Sequence, residues 1–199
     1  VTDGDSNKGN ANLPGNVVAL RRRRHVINEL DLVRLLAGHW KLDTLCDLLE
    51  ACADALPTRP SLAQSIMLCE KLSRLIDLYE HGGTMLLHEM FEPDLHRPLT
   101  NALLDHIVAS HAVDSANAQD LIAALDPASG EASRFSAEIL GYMLRCFFDG
   151  CRRAMNFTEL AILTLGEKRL TPDAKTLLTK VLQDNAKLRV QRADSPGEI

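Results

Sequence analysis

From Asn28 onward, apolar residues recur at alternating steps of three and four, the period of a helix with one buried face. The first run, about 29 to 56, carries Leu32, Leu35, His39, Leu42, Cys46, Leu49, Ala53 and Leu56 along one seam and stops at Pro57. A second begins after Pro60 with Ser61 as its predicted cap and reaches about Phe91, before Pro93. Its inner face is marked by Leu68, Leu72, Leu75 and Leu78 or Tyr79. Gly82-Gly83 predicts a bend there, because two glycines cost about 2 kcal/mol against alanine in a helix interior.

The third run, about 97 to 125, sets Leu104, Ile107, His111, Asp114, Ala118, Leu121 and Leu125 on one face, ending at Asp126-Pro127-Ala128-Ser129-Gly130. The fourth, about 131 to 165, turns Leu144, Phe147, Cys151, Ala154, Thr158, Ala161 and Leu165 inward and is closed by Gly166. A last helix follows Thr171-Pro172-Asp173, with Thr171 as cap and Pro172 at the first helical position. The expected fold is all-α: an up-down antiparallel four-helix bundle with an additional C-terminal helix. It occupies 28–188 as one domain, between flexible tails at 1–27 and 189–199.

Composition supports helices packed on helices. Of 199 residues 46% are apolar but only 4% aromatic, so Leu and Ala carry the core. A net charge of -5 argues against nucleic acid or an anionic membrane as partner. The run Arg21-Arg22-Arg23-Arg24 lacks aromatic interleaving and reads as a solvated basic patch. No stretch approaches the roughly 18 apolar residues of a membrane span. The opening VTDGDSNKGNANLPG has no signal-peptide core, so a cytoplasmic protein is expected. Five cysteines without a pairing motif read as reduced, apolar fillers; Cys46 and Cys151 face inward and are redox candidates only if they meet.

Polar residues on the inner seams are the candidate chemistry. His39 and His111 point inward by spacing, His81 lies on or beside the inner stripe, and His88 and Glu92 continue its face. Imidazoles from three helices can converge on one ion, or each can satisfy itself on a neighbouring carbonyl. His25, His96 and His106 lie off the seams and are expected at the surface. No nucleophile elbow or phosphate-binding glycine loop occurs, and His88-Glu89 starts a zinc-protease pattern whose second histidine is replaced by Glu92. The chain is not expected to be an enzyme.

Four stretches then carry a resemblance: GHWKLDTLCDLLEACADALP around His39, YEHGGTMLLHEMFEPDL around His81, SHAVDSANAQDLIAAL around His111, and FFDGCRRAMNFTELAILTLGEKRLTPD. Over about residues 29 to 183 the chain resembles the hemerythrin-like (HHE cation-binding) family, four-helix bundles that hold a non-haem di-iron centre. The resemblance implies ligand positions at His39, His81 and His111. Met85 stands at the family's second-helix carboxylate, and Ala154 and Thr158 stand at its fourth-helix histidine and carboxylate. Glu159 falls one step, about 100°, round the helix from Thr158. A shifted second-helix register would bring His88, Glu89 or Glu92 instead.

The resemblance thus implies a degenerate site. His39, His81 and His111, with Asp114, His88 or Glu92 as a fourth partner, would suit one non-haem Fe or Zn ion, with oxygen or nitric oxide at an open position. The competing expectation is a metal-free descendant without cofactor, acting as an interaction module for a protein partner or as a homodimer.

Overall fold

Helix boundaries follow from local hydrogen-bonding chemistry. The computed structural model describes residues 26–81, 84–126, 128 and 135–194, apart from the side chains of His81, Arg189 and 192–194. Asn28 opens α1 (Glu29–Asp54) with a capping box: its side-chain oxygen accepts from Leu30 N at 2.8 Å and Asp31 N at 3.2 Å, and Asp31 accepts from Asn28 N at 3.1 Å. Ser61 and Gln64 form the reciprocal pair that starts α2 (Leu62–His81). The expected single second helix is two elements, α2 and the short α3 (Met85–Phe91), with Gly82 and Gly83 outside the described residues.

A 3-10 turn (Glu92–Asp94) leads into α4 (Pro98–Leu125), which starts on proline. Ser136 caps α5 (Ala137–Gly166) by accepting from Ile139 N at 3.2 Å. Thr171 caps α6 (Pro172–Asp194) by accepting from Ala174 N at 3.2 Å, and donates to Glu29 at 2.6 Å.

The described residues therefore form an all-helical protein. Neither tail boundary falls where the pattern set it. Ile27, assigned to the N-terminal tail, is fully buried and bridges Leu170, with Ile27 N donating to Arg169 O at 3.0 Å. The exchange binds the start of α1 to the α5–α6 turn. Helix α6 continues six residues beyond Leu188 to Asp194, so 189–194 is helix rather than tail. Residues 1–25 and 195–199, including His25 and the four-arginine run, lie outside the described residues. No helix among the described residues is long and apolar enough to cross a membrane.

α1 packs on α5, α2 on α4, α4 on α5, and α6 on both α5 and α1. Arg152, buried on α5, joins the first of these pairs: it meets Asp47 and Glu50 of α1 at 2.7 Å each and Asp43 at 3.4 Å. The core divides into two apolar clusters. One holds Leu42, Cys46, Leu49, Leu72, Leu121 and Phe147; the other holds Ile27, Leu36, Phe91, Ile107, Ile162 and Leu178. On three helices a polar residue stands at the division: His39 between Leu36 and Leu42, His111 between Ile107 and Ala118, and Thr158 between Met155 and Ala161.

Candidate ligand cavity

Between the two clusters lies a cavity of about 530 Å³, bounded by α1, α2, α4 and α5 with Leu86 of α3. Its apolar wall includes Leu35, Leu42, Leu45, Leu75, Leu86 and Met155. His39, Tyr79, His111 and Thr158 supply polar atoms, and Ala154 and Gly38 keep its sides low. Arg34 and Lys41 of α1 and Lys71 and Arg74 of α2 also line it, with no Asp or Glu among the described lining. Such a volume falls within the roughly 300–1,000 Å³ usual for small-molecule sites.

His39 is fixed from behind. Its Nδ1 lies 2.8 Å from Oε1 of Glu159, which is almost fully buried on α5. A carboxylate only accepts, so Nδ1 carries the proton and Nε2 is the ring's remaining nitrogen. Asn185 of α6 donates to the other Glu159 oxygen at 3.2 Å, which makes a three-helix polar link. The i+1 offset made Glu159 look misplaced in the sequence. It turns instead toward the α1–α6 side, where His39 and Asn185 meet it.

His111 lies flat on Tyr79, with ring centroids 4.1 Å apart and planes 6° from parallel. Burial, then the nearby His39 ring, lowers its pKa from 6.5 to about 4, and its buried Nδ1 has no hydrogen-bond partner. Three residues on, Asp114 is buried with Oδ2 unpartnered, and burial raises its pKa from 3.8 to about 6. The inward cysteines do meet: a hydrogen bond with Cys46, then burial, holds the Cys151 thiol far above its ordinary value.

The remaining candidates are placed otherwise. His88 and Glu92 are exposed, on α3 and the following 3-10 turn, because α3 is a separate short helix and does not continue the α2 seam. Glu89 and Met85 are exposed for the same reason. His81 ends α2, and its side chain lies outside the described residues. His96 and His106 are exposed as expected, His106 meeting the edge of Phe157 at 4.6 Å.

These residues do not fit a dinuclear centre. The carboxylate positions implied by the resemblance hold an exposed Met85 and a Thr158 whose hydroxyl donates to Ala154 O at 3.0 Å. Among the described residues no group of three His, Cys, Asp or Glu side chains is arranged to hold a metal ion. The structure brings His39 and His111 to one cavity; Asp114 is buried near Tyr79 and Cys151 and does not line that cavity, and His88 and Glu92 lie outside it. Sequence reasoning missed Glu159 as a partner, and it missed the four cations, whose convergence from two helices no single-helix pattern displays. Comparison with known protein families, with characterised proteins and with solved structures returned no match.

Proposed function

We propose that this chain is a non-enzymatic, hemerythrin-like binding protein that takes a small organic molecule into the cavity between its helices. In this reading α1, α2, α4 and α5 make an up-and-down bundle, with α6 added across α1 and α5. The observation that carries it is the 530 Å³ cavity itself, mainly apolar and furnished with His39, His111 and Tyr79. A half-open cavity of this size, with apolar walls and a few polar groups set among them, has the make-up usual for a small-molecule site. The metal-free branch of the resemblance is the one this geometry favours.

The test is saturable binding of an uncharged apolar fluorophore, N-phenyl-1-naphthylamine. One probe per chain is expected, with binding lost in Gly38→Phe, whose side chain would enter the cavity. Failure of the wild type to bind, or equal binding by a folded Gly38→Phe, would overturn the proposal.

A second reading keeps an ion, a single Fe or Zn held by His39 and His111 and completed by His81. The partnerless Nδ1 of His111 and the carboxylate behind His39 favour it, since metal-bound histidines are commonly oriented by such a carboxylate. Metal analysis after anaerobic, chelator-free purification decides it: about one ion per chain, lost in His111→Ala, supports it, and less than about a tenth of an equivalent after Fe(II) or Zn(II) addition removes it.

A further inference from the structure

The cavity is asymmetric in charge. Its described lining contains Arg34, Lys41, Lys71 and Arg74 and no carboxylate, in a chain whose net charge is -5. Acidic residues outnumber basic ones over the whole chain, 27 to 22, so an all-cationic lining runs against composition. Arg74 approaches Glu70 at 3.8 Å, an exposed contact of little strength. Arg34 and Lys41 are exposed and form no ion pair among the described residues. Below these cations the wall becomes apolar, with Leu35, Leu42, Leu45 and Leu75.

Gly38 supplies an independent observation. It sits inside α1, where glycine costs about 1 kcal/mol against alanine, and it lines the cavity. A Cβ built on it would meet nothing within 4 Å, so no neighbouring atom requires the glycine. Its absence of side chain instead widens the cavity beside His39.

We infer that the ligand is a soluble amphipathic carboxylate of the fatty acid kind. Its acid group would rest among Arg34, Lys41, Lys71 and Arg74, and its hydrocarbon tail would run along the leucines toward His111. The inference rests on the cavity being the binding site, as proposed above. Charge complementarity selects this occupant. A neutral apolar molecule leaves the cations unused, a cationic amphiphile is repelled by them, and the Arg21–Arg24 run of this chain has the same sign as the rim.

The experiment is displacement of N-phenyl-1-naphthylamine from the full chain by laurate, methyl laurate or dodecyltrimethylammonium. Laurate is expected to displace the probe at a concentration at least tenfold lower than either analogue, with an advantage that shrinks as salt rises. Arg34→Glu combined with Lys41→Glu changes two exposed side chains of similar helix propensity, so the fold is retained. The pair is expected to weaken laurate at least tenfold and to abolish its advantage over methyl laurate.

Equal displacement by the methyl ester, or an unchanged laurate affinity in the double variant, would overturn the anion inference while probe binding preserved the cavity reading. Absence of probe binding to wild type would remove both. Binding to phosphatidylglycerol vesicles without binding of free laurate would also overturn it, because the anion would then belong to a membrane.

Discussion

Nδ1 of His39 on α1 donates to Oε1 of Glu159 on α5 across 2.8 Å, although the two are 120 positions apart in the chain. The bond fixes the imidazole's orientation at the cavity wall, and Asn185 ties the same carboxylate to α6. A buried carboxylate with bonds to two helices is tolerated because its oxygens have donors.

Removal of Glu159 therefore takes the acceptor from the half-buried Nδ1 of His39 and leaves Asn185 with its longer bond to Asn156 at 3.4 Å. Glu159→Ala is expected to cost about 3 kcal/mol, and Glu159→Gln, which keeps one acceptor oxygen, about half that. Urea denaturation measures both; a loss below about 0.5 kcal/mol for the alanine variant would contradict the role given to this link.

His111 and Asp114 make opposite contributions to the pH dependence of stability. The folded pKa of His111 is depressed from 6.5 to about 4, so the unfolded chain binds the extra proton and stability falls as pH drops through that window, by about 3 kcal/mol in full. Asp114 is raised from 3.8 to about 6, so the folded chain binds the proton and stability falls as pH rises between those values. Relative to wild type, Asp114→Asn should lose stability more steeply from pH 6.5 to 4 and be more stable at pH 7. His111→Phe, which keeps a ring on Tyr79, should lose less on acidification. Thermal melts across pH 4 to 7.5 read both slopes; parallel profiles for all three proteins would refute the assignment.

Thiol reactivity should separate into three classes. Cys146 is exposed, Cys52 and Cys69 are half-buried with burial raising each thiol, and Cys46 and Cys151 are fully buried. With a disulfide reagent at pH 8, one thiol should react quickly, two slowly, and the last two only on unfolding. Rapid native labelling of Cys46 or Cys151 would show that the core opens.

Gly38→Ala should stabilise the ligand-free protein by about 1 kcal/mol, a rise in Tm of about 3 °C, since the methyl meets open space in the middle of α1. A fall in Tm by calorimetry would mean that the space is not available to a side chain.

The inner seams were legible in the chain because helical periodicity is local. Leu32, Leu42, Cys46, Leu49 and Ala53 on α1, and Leu104, Ile107, Asp114, Ala118 and Leu121 on α4, are buried as their spacing requires. The caps at Ser61 and Thr171 were equally readable, since each depends on residues within three positions. Tertiary structure alone decided that Glu159, offset by one position from the inner seam, serves His39, because α6 brings Asn185 over that flank of α5. It also separated α3 from α2 and so turned His88 and Glu92 to solvent. The cations of α1 and α2 surround one cavity only because two helices pack side by side, whereas sequence periodicity reports one helix at a time.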